Sequence, residues 1–200
     1  MKTKLKDYLP LIIVVGIVLA LLFSGVRDLT DKDHVKTIRV NMCKEVVKVV
    51  NILMIIPMGN DYYYFGLDSE SGEGAFFQAS KSWYSKNFDS EGMAFDENGV
   101  QVVGLMKKPA HDKVEYKMED TIPALRELGI SVNSDYVVYT NYKFIALCKI
   151  GLVALGTLIV LGLVLDKKKW IPGKVFGVSF AVFLILFFLL FVRYTRFLIW

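Results

Sequence analysis

"HVKTIRVNMCKEVVKVVNILMIIP", residues 34–57, is the stretch on which the fold turns. Val35, Ile38, Met42, Val46, Val49 and Leu53 recur at spacings of three or four, the pattern of an amphipathic helix, and Pro57 offers a stop. A strand is the rival, because "KTIRVNM" alternates and "VVNILMIIP" is apolar and β-branched. The spacing predicts a helix from Asp33 to about Val50, with the remainder left open.

Beyond Pro57 the pattern changes to short strands. "DYYYFGL" (61–67) and "AFFQASK" (75–81) flank the polar loop "DSESGEG" and read as a β-hairpin. "KSWYSKNF" (81–88) reads as a helical turn, and "NGVQVVGLM" (98–106) as a turn followed by an apolar strand with Gly104 at a bulge or close contact. "MEDTIPALRELG" (118–129) reads as a helix with Asp120 as N-cap, Pro123 in the first turn and Gly129 as the stop. "DYVVYTNY" (135–142) closes the region as a strand. The sum is an α+β domain with a small, mainly antiparallel sheet.

Composition then dominates. The 200-residue chain is 54% hydrophobic and 14% aromatic, with its charges gathered in the middle and in short flanks. About 20 apolar residues span a bilayer, and the runs at 9–26, 144–165 and 175–192 meet that length. The expected fold is therefore three transmembrane helices, with the α+β domain at 27–143 inserted between the first and second. A tail at 1–8, a basic loop at 166–174 and a short tail at 193–200 complete the division. "LIIVVGIVLALLFSG" (11–25) is long for a signal peptide and reads as a retained anchor. Lys149, near the start of the second run, is expected to snorkel to the interface.

Lys2, Lys4 and Lys6, with Lys167, Lys168, Lys169 and Lys174, place the N-terminal tail and the basic loop in the cytoplasm by the positive-inside rule and the short C-terminal tail outside. The N-terminus is then cytoplasmic and the main domain extracytoplasmic, in a multi-pass cell-membrane protein. Trp170 and Trp200 suit interfacial anchoring. Cys43 and Cys148 fall on opposite sides of the water–lipid boundary in this scheme, so both are expected reduced. The lack of an Asn-x-Ser/Thr acceptor weighs slightly against a glycosylated eukaryotic surface protein, and a bacterial-type protein is expected. The net charge of +4 lies partly in membrane flanks and argues for no nucleic-acid partner.

The strand order of the middle domain could form a partly open barrel that resembles the OB-fold. The layout of span, compact outer domain and span resembles membrane-protein assembly factors of the Surf type. The likeness rests on "NGVQVVGL" and on architecture, and no functional residue carries over from it.

Catalytic patterns are sparse. His34 and His111 have no ligand partner at metal spacing, and His111 in "KKPAHDKV" reads as a solvated loop residue despite its neighbour Asp112. Asp68, Glu70 and Glu73 lack the regular ligands of a calcium loop, and "GLDSESGEG" lacks the Lys-Ser/Thr of a phosphate-binding loop. No catalytic residue, cofactor or metal site is expected.

Aromatic residues carry the interaction signal. Tyr62 and Tyr64 are expected to face the core, leaving Tyr63 and Phe65, with Trp83 and Tyr84, for a partner surface or for cover by the amphipathic helix. Small residues at Gly16 and Ala20, and at Gly173, Gly177 and Ala181, offer helix-packing faces. These features favour a non-catalytic integral membrane protein, an accessory or assembly subunit whose outer domain binds a protein. Its partners would be the lipid bilayer and a membrane protein or a second copy of the chain. The alternative is a small-molecule or lipid-handling transporter component, or a surface enzyme built from scattered residues.

Overall fold

Residues 34–57 form strands. In the computed structural model, which describes residues 16, 18–53, 56–165 and 173–193, β1 runs over Val35–Leu53 and β2 over Ile56–Asp68. The expected helix at 33–50 is corrected by the β-branched content of β1 and by its two edges. Val35 to Val40 pair with β4, while Val40 to Leu53 pair with β2. Register shifts at Val40/Met42, Glu45/Val47 and Val50/Ile52 explain the misleading periodicity. Each bulge inserts a residue and stretches an apolar spacing of two toward three or four, so Ile38, Val40, Cys43, Val47 and Val49 are the residues buried.

Two compact units make up the chain, residues 31–142 and residues 1–30 with 143–200. In the first, β1 and β2 join β3 (Gly74–Ala79), β4 (Val100–Lys107) and β5 (Val132–Tyr139) in a closed barrel of order β1-β2-β3-β5-β4. All pairings are antiparallel except β3 with β5. The small, mainly antiparallel sheet expected for this region is thus a closed five-stranded barrel with one parallel pairing. Closure is visible in the core: Ile38 and Val40 of β1, Tyr64 of β2, Phe77 of β3, Val102 of β4 and Val138 of β5 meet in one cluster. Only the interior of a closed sheet brings all five strands together.

A helix over 18–30 is α1. The short α2 (Lys81–Asn87), capped by the Ser80 hydroxyl accepting from the Trp83 amide, sets Trp83 and Tyr84 against the barrel core. The helix α3 covers Asp112–Glu127, starting eight residues before the expected Asp120 cap, with His111 as N-cap and Pro123 inside it. Its buried residues are Val114, Met118 and Ile122, and it packs on β1 and β5. Gly129, at φ +77°, follows its end in the left-handed region that glycine adopts without strain.

The loop between β2 and β3 is organised by Asp68. Its carboxylate accepts from the Arg39 amide (3.0 Å), the Ser71 hydroxyl (2.6 Å) and, at 3.4 Å, the Glu70 amide. Burial works against the charge, but the bonds from Ser71, Arg39 and Glu70 outweigh it and hold this carboxyl below the usual carboxylate range. The folded value lies below the unfolded one, so the stabilisation is fully present above the unfolded value. It is lost as pH falls through the folded one. Acid titration of Asp68→Asn against the parent is expected to show a shallower loss of stability below about pH 4.

The second unit holds α1, α4 (Tyr142–Leu165) and α5 (Gly173–Arg193). Leu21, Ser24, Gly25 and Asp28 form the buried stripe of α1, and Ile145, Ala146, Lys149 and Leu152 lie buried on α4. The two helices meet at Gly25, where a Cβ would stand 3.1 Å from Ile150 Cγ1 and 3.2 Å from the Ala146 carbonyl oxygen. Beside that contact Lys149 Nζ donates to Asp28 Oδ2 and to Ser24 Oγ, each at 2.8 Å. Lys149 is wholly buried, so its expected escape to an interface is corrected.

The three-span architecture is corrected as well. Among the described residues no helix is long and apolar enough to cross a membrane. With the spans go the multi-pass placement, the cytoplasmic and extracytoplasmic assignments, the bilayer and membrane-protein or self-association partners, and the integral-membrane subunit function. The lysine loop at 166–172 and the tails at 1–15 and 194–200, with Trp170 and Trp200, lie outside the described residues.

Removing one partner of the α1–α4 ion pair strands the other in an apolar contact. Asp28→Leu is expected to cost about 3–5 kcal/mol in denaturant unfolding, and Asp28→Leu with Lys149→Met to recover most of it.

Candidate functional site

The groups with the greatest chemical potential are spent on structure. Asp61, on β2, is fully buried, and its carboxylate accepts from Asn51 Nδ2 (2.7 Å) and Gln78 Nε2 (3.3 Å). His111, expected in solvent, is mostly buried, with Nε2 4.0 Å from Asp61 Oδ2. That separation is too long for a hydrogen bond, and each carboxylate oxygen of Asp61 accepts from a side-chain amide. Tyr139 accepts from the Ala110 amide through its hydroxyl (2.7 Å), fixing the entry to α3. Burial pushes the Cys43 and Cys148 thiols up, away from the reactive thiolate. Among the described residues no group of three His, Cys, Asp or Glu is placed to hold a metal ion.

Both faces of β2 are covered. Tyr64 stacks on Phe77 and Tyr84 inside, with centroids 5.7 and 4.9 Å apart, while Tyr63 is buried on the opposite face, edge-on to Tyr139 at 6.2 Å. Phe65 is half-buried against Phe76, and Trp83 packs on Phe77 and Phe88. Tyr63, Phe65, Trp83 and Tyr84 therefore sit in packing contacts with the barrel. Gly16, Ala20, Gly177 and Ala181 are exposed and Gly173 opens α5, while close approaches fall at Gly25 and at Gly156, which faces Phe183.

Within the barrel unit, three exposed apolar side chains fall where the segment after α2 doubles back along β1. Ala94 N–H donates to the Asn41 carbonyl, and Cys43 N–H to that of Gly92, so Met42 and Met93 form a bridge pair. Paired residues point to the same side of a sheet. Cys43 points into the core, so Met42 and Met93 project outward, 48% and 46% exposed, and Phe95 is 63% exposed. Two aspartate turns fix this segment. Asp89 Oδ1 accepts from the Glu91 and Met93 amides (2.9 and 2.8 Å), and Asp96 Oδ1 from the Asn98 amide (2.9 Å). With Glu91 and Glu97, these two aspartates put four acids into residues 89–97 without one base. The four form no ion pair among the described residues.

Sequence patterning missed this surface because the spacing assigns Met42 to the apolar face of a helix, and nothing in the sequence pairs it with Met93. The available signal was the string "DSEGMAFDEN", where turn-forming acids alternate with large apolar residues. Compared with known proteins, the chain matches no family model, no curated protein and no solved structure.

Gly92 holds the segment in place at φ +87°, and a Cβ there would press into the Cys43 carbonyl oxygen. Gly92→Ala is expected to cost roughly 1–3 kcal/mol. Hydrogen exchange should locate the damage, with the Cys43 and Ala94 amides exchanging faster and the Ile38 amide still protected.

Proposed function

We propose that this chain is a non-catalytic recognition protein and that the outer surface around Met42, Met93 and Phe95 is its binding site. One observation carries the reading: three large apolar side chains are held out in water by a rigid, hydrogen-bonded segment rather than folded into the adjacent core. Unbranched methionines adapt their shape to a partner, and a pre-ordered backbone lowers the entropy cost of binding. The burial of Cys43 and the commitment of Asp61 to amide donors support a role without covalent or acid–base chemistry.

The test is methyl NMR on the full chain carrying labelled methionines, titrated with a library of short peptides. Met42 and Met93 are expected to shift first, with Met106 and Met118 unmoved. Shifts centred on Met118, or on the Asp61 and His111 region, would overturn the proposed surface.

A further inference from the structure

Building on that surface, we propose that its occupant is a cationic peptide segment that also carries apolar side chains. The charge around the patch is opposite to that of the molecule. The whole chain carries +4, yet Asp89, Glu91, Asp96 and Glu97 border Met93 and Phe95, and Glu45 follows three residues after Met42. Against these five acids stand Lys44, Lys86 and Arg39, the last of them facing Glu70. The local field is felt inside the domain too: Tyr84 is held protonated first by burial, then by neighbouring Cys43, Asp89 and Glu45. An excess of carboxylates along this segment repels nucleic acid and anionic lipid and attracts lysine and arginine, while the methionines and Phe95 supply the apolar contact. Glu91, Asp96 and Glu97 are exposed, as rim charges that steer a partner should be.

The occupant has no strand edge to extend. Cys43 N–H and the Asn41 carbonyl already serve the 92–94 segment, and the Met93 carbonyl accepts from Asp89 N–H. Recognition therefore runs through side chains, with cationic groups meeting the rim and apolar ones the methionines.

Three synthetic peptides of equal length decide the matter, titrated into the full chain with the methionine methyls and peptide fluorescence anisotropy as readouts. The first carries lysines and arginines with leucine and tryptophan, the second replaces its bases by glutamate, and the third keeps the bases but replaces the apolar residues by serine. The first is expected to bind at Met42 and Met93, to weaken as salt rises, and to bind about fivefold more weakly to Glu91→Gln/Glu97→Gln. That variant leaves the Asp89 and Asp96 turns intact, so it keeps its fold. Equal binding of the second peptide overturns the charge inference and leaves the surface standing. Equal binding of the third overturns the apolar requirement. If no peptide moves Met42 or Met93 on the folded protein, the proposed surface itself falls.

Discussion

Everything in the barrel depends on β1 being hydrogen-bonded along both edges. Its first half pairs with β4 and its second with β2, with the change of partner near Val40. One strand can serve two neighbours in succession only if it is long and bends, and the bulge between Val40 and Met42 comes at that change. Past it, the edge of β1 that β4 has left is occupied by residues 92–94. The exposed Met42 and Met93 pair is thus a by-product of closing the sheet, because the segment that covers this edge must place its outward side chains in water.

The elements that were legible in the sequence are those whose pattern is local. The β2–β3 hairpin follows from aromatic strands around a Gly/Ser/Asp/Glu loop, and β4 and β5 from short β-branched runs. The second half of α3 and its Gly129 stop are equally local. By contrast, β1 was obscured by its own bulges, since displacing Cys43 and Val47 from strict alternation produces helix-like spacings. The start of α3 was hidden because His111 makes no side-chain cap bond. Lys149 and Asp28 are 121 residues apart, and no spacing rule joins them. The acidic rim was visible as composition, but its methionine centre needed the pairing of residue 42 with residue 93.

Three aspartates show how position decides what one side chain does. Asp28 neutralises a buried ammonium, Asp61 gathers amide donors, and Asp68 ties a loop to the neighbouring strand. Each is buried and hydrogen-bonded. The acids at 89–97 differ in kind. Asp89 and Asp96 brace the backbone through one oxygen while their charge stays near water, and Glu91 and Glu97 make no such bond among those described. Selectivity by field and rigidity by turn therefore come from the same short segment.

The strand order also sets a schedule for folding. β5 lies between β3 and β4, so the last strand in the sequence is inserted between two that precede it. Until it arrives the sheet has a gap one strand wide, bordered by Phe76 and Phe77 on one side and Leu105 and Met106 on the other. Pairing of Val35 with Leu105 joins residues far apart in the chain and is slow to form. An unfinished barrel therefore presents two unpaired, apolar edges at once, and its hazard of aggregation is concentrated in the interval before residues 132–139 take their place.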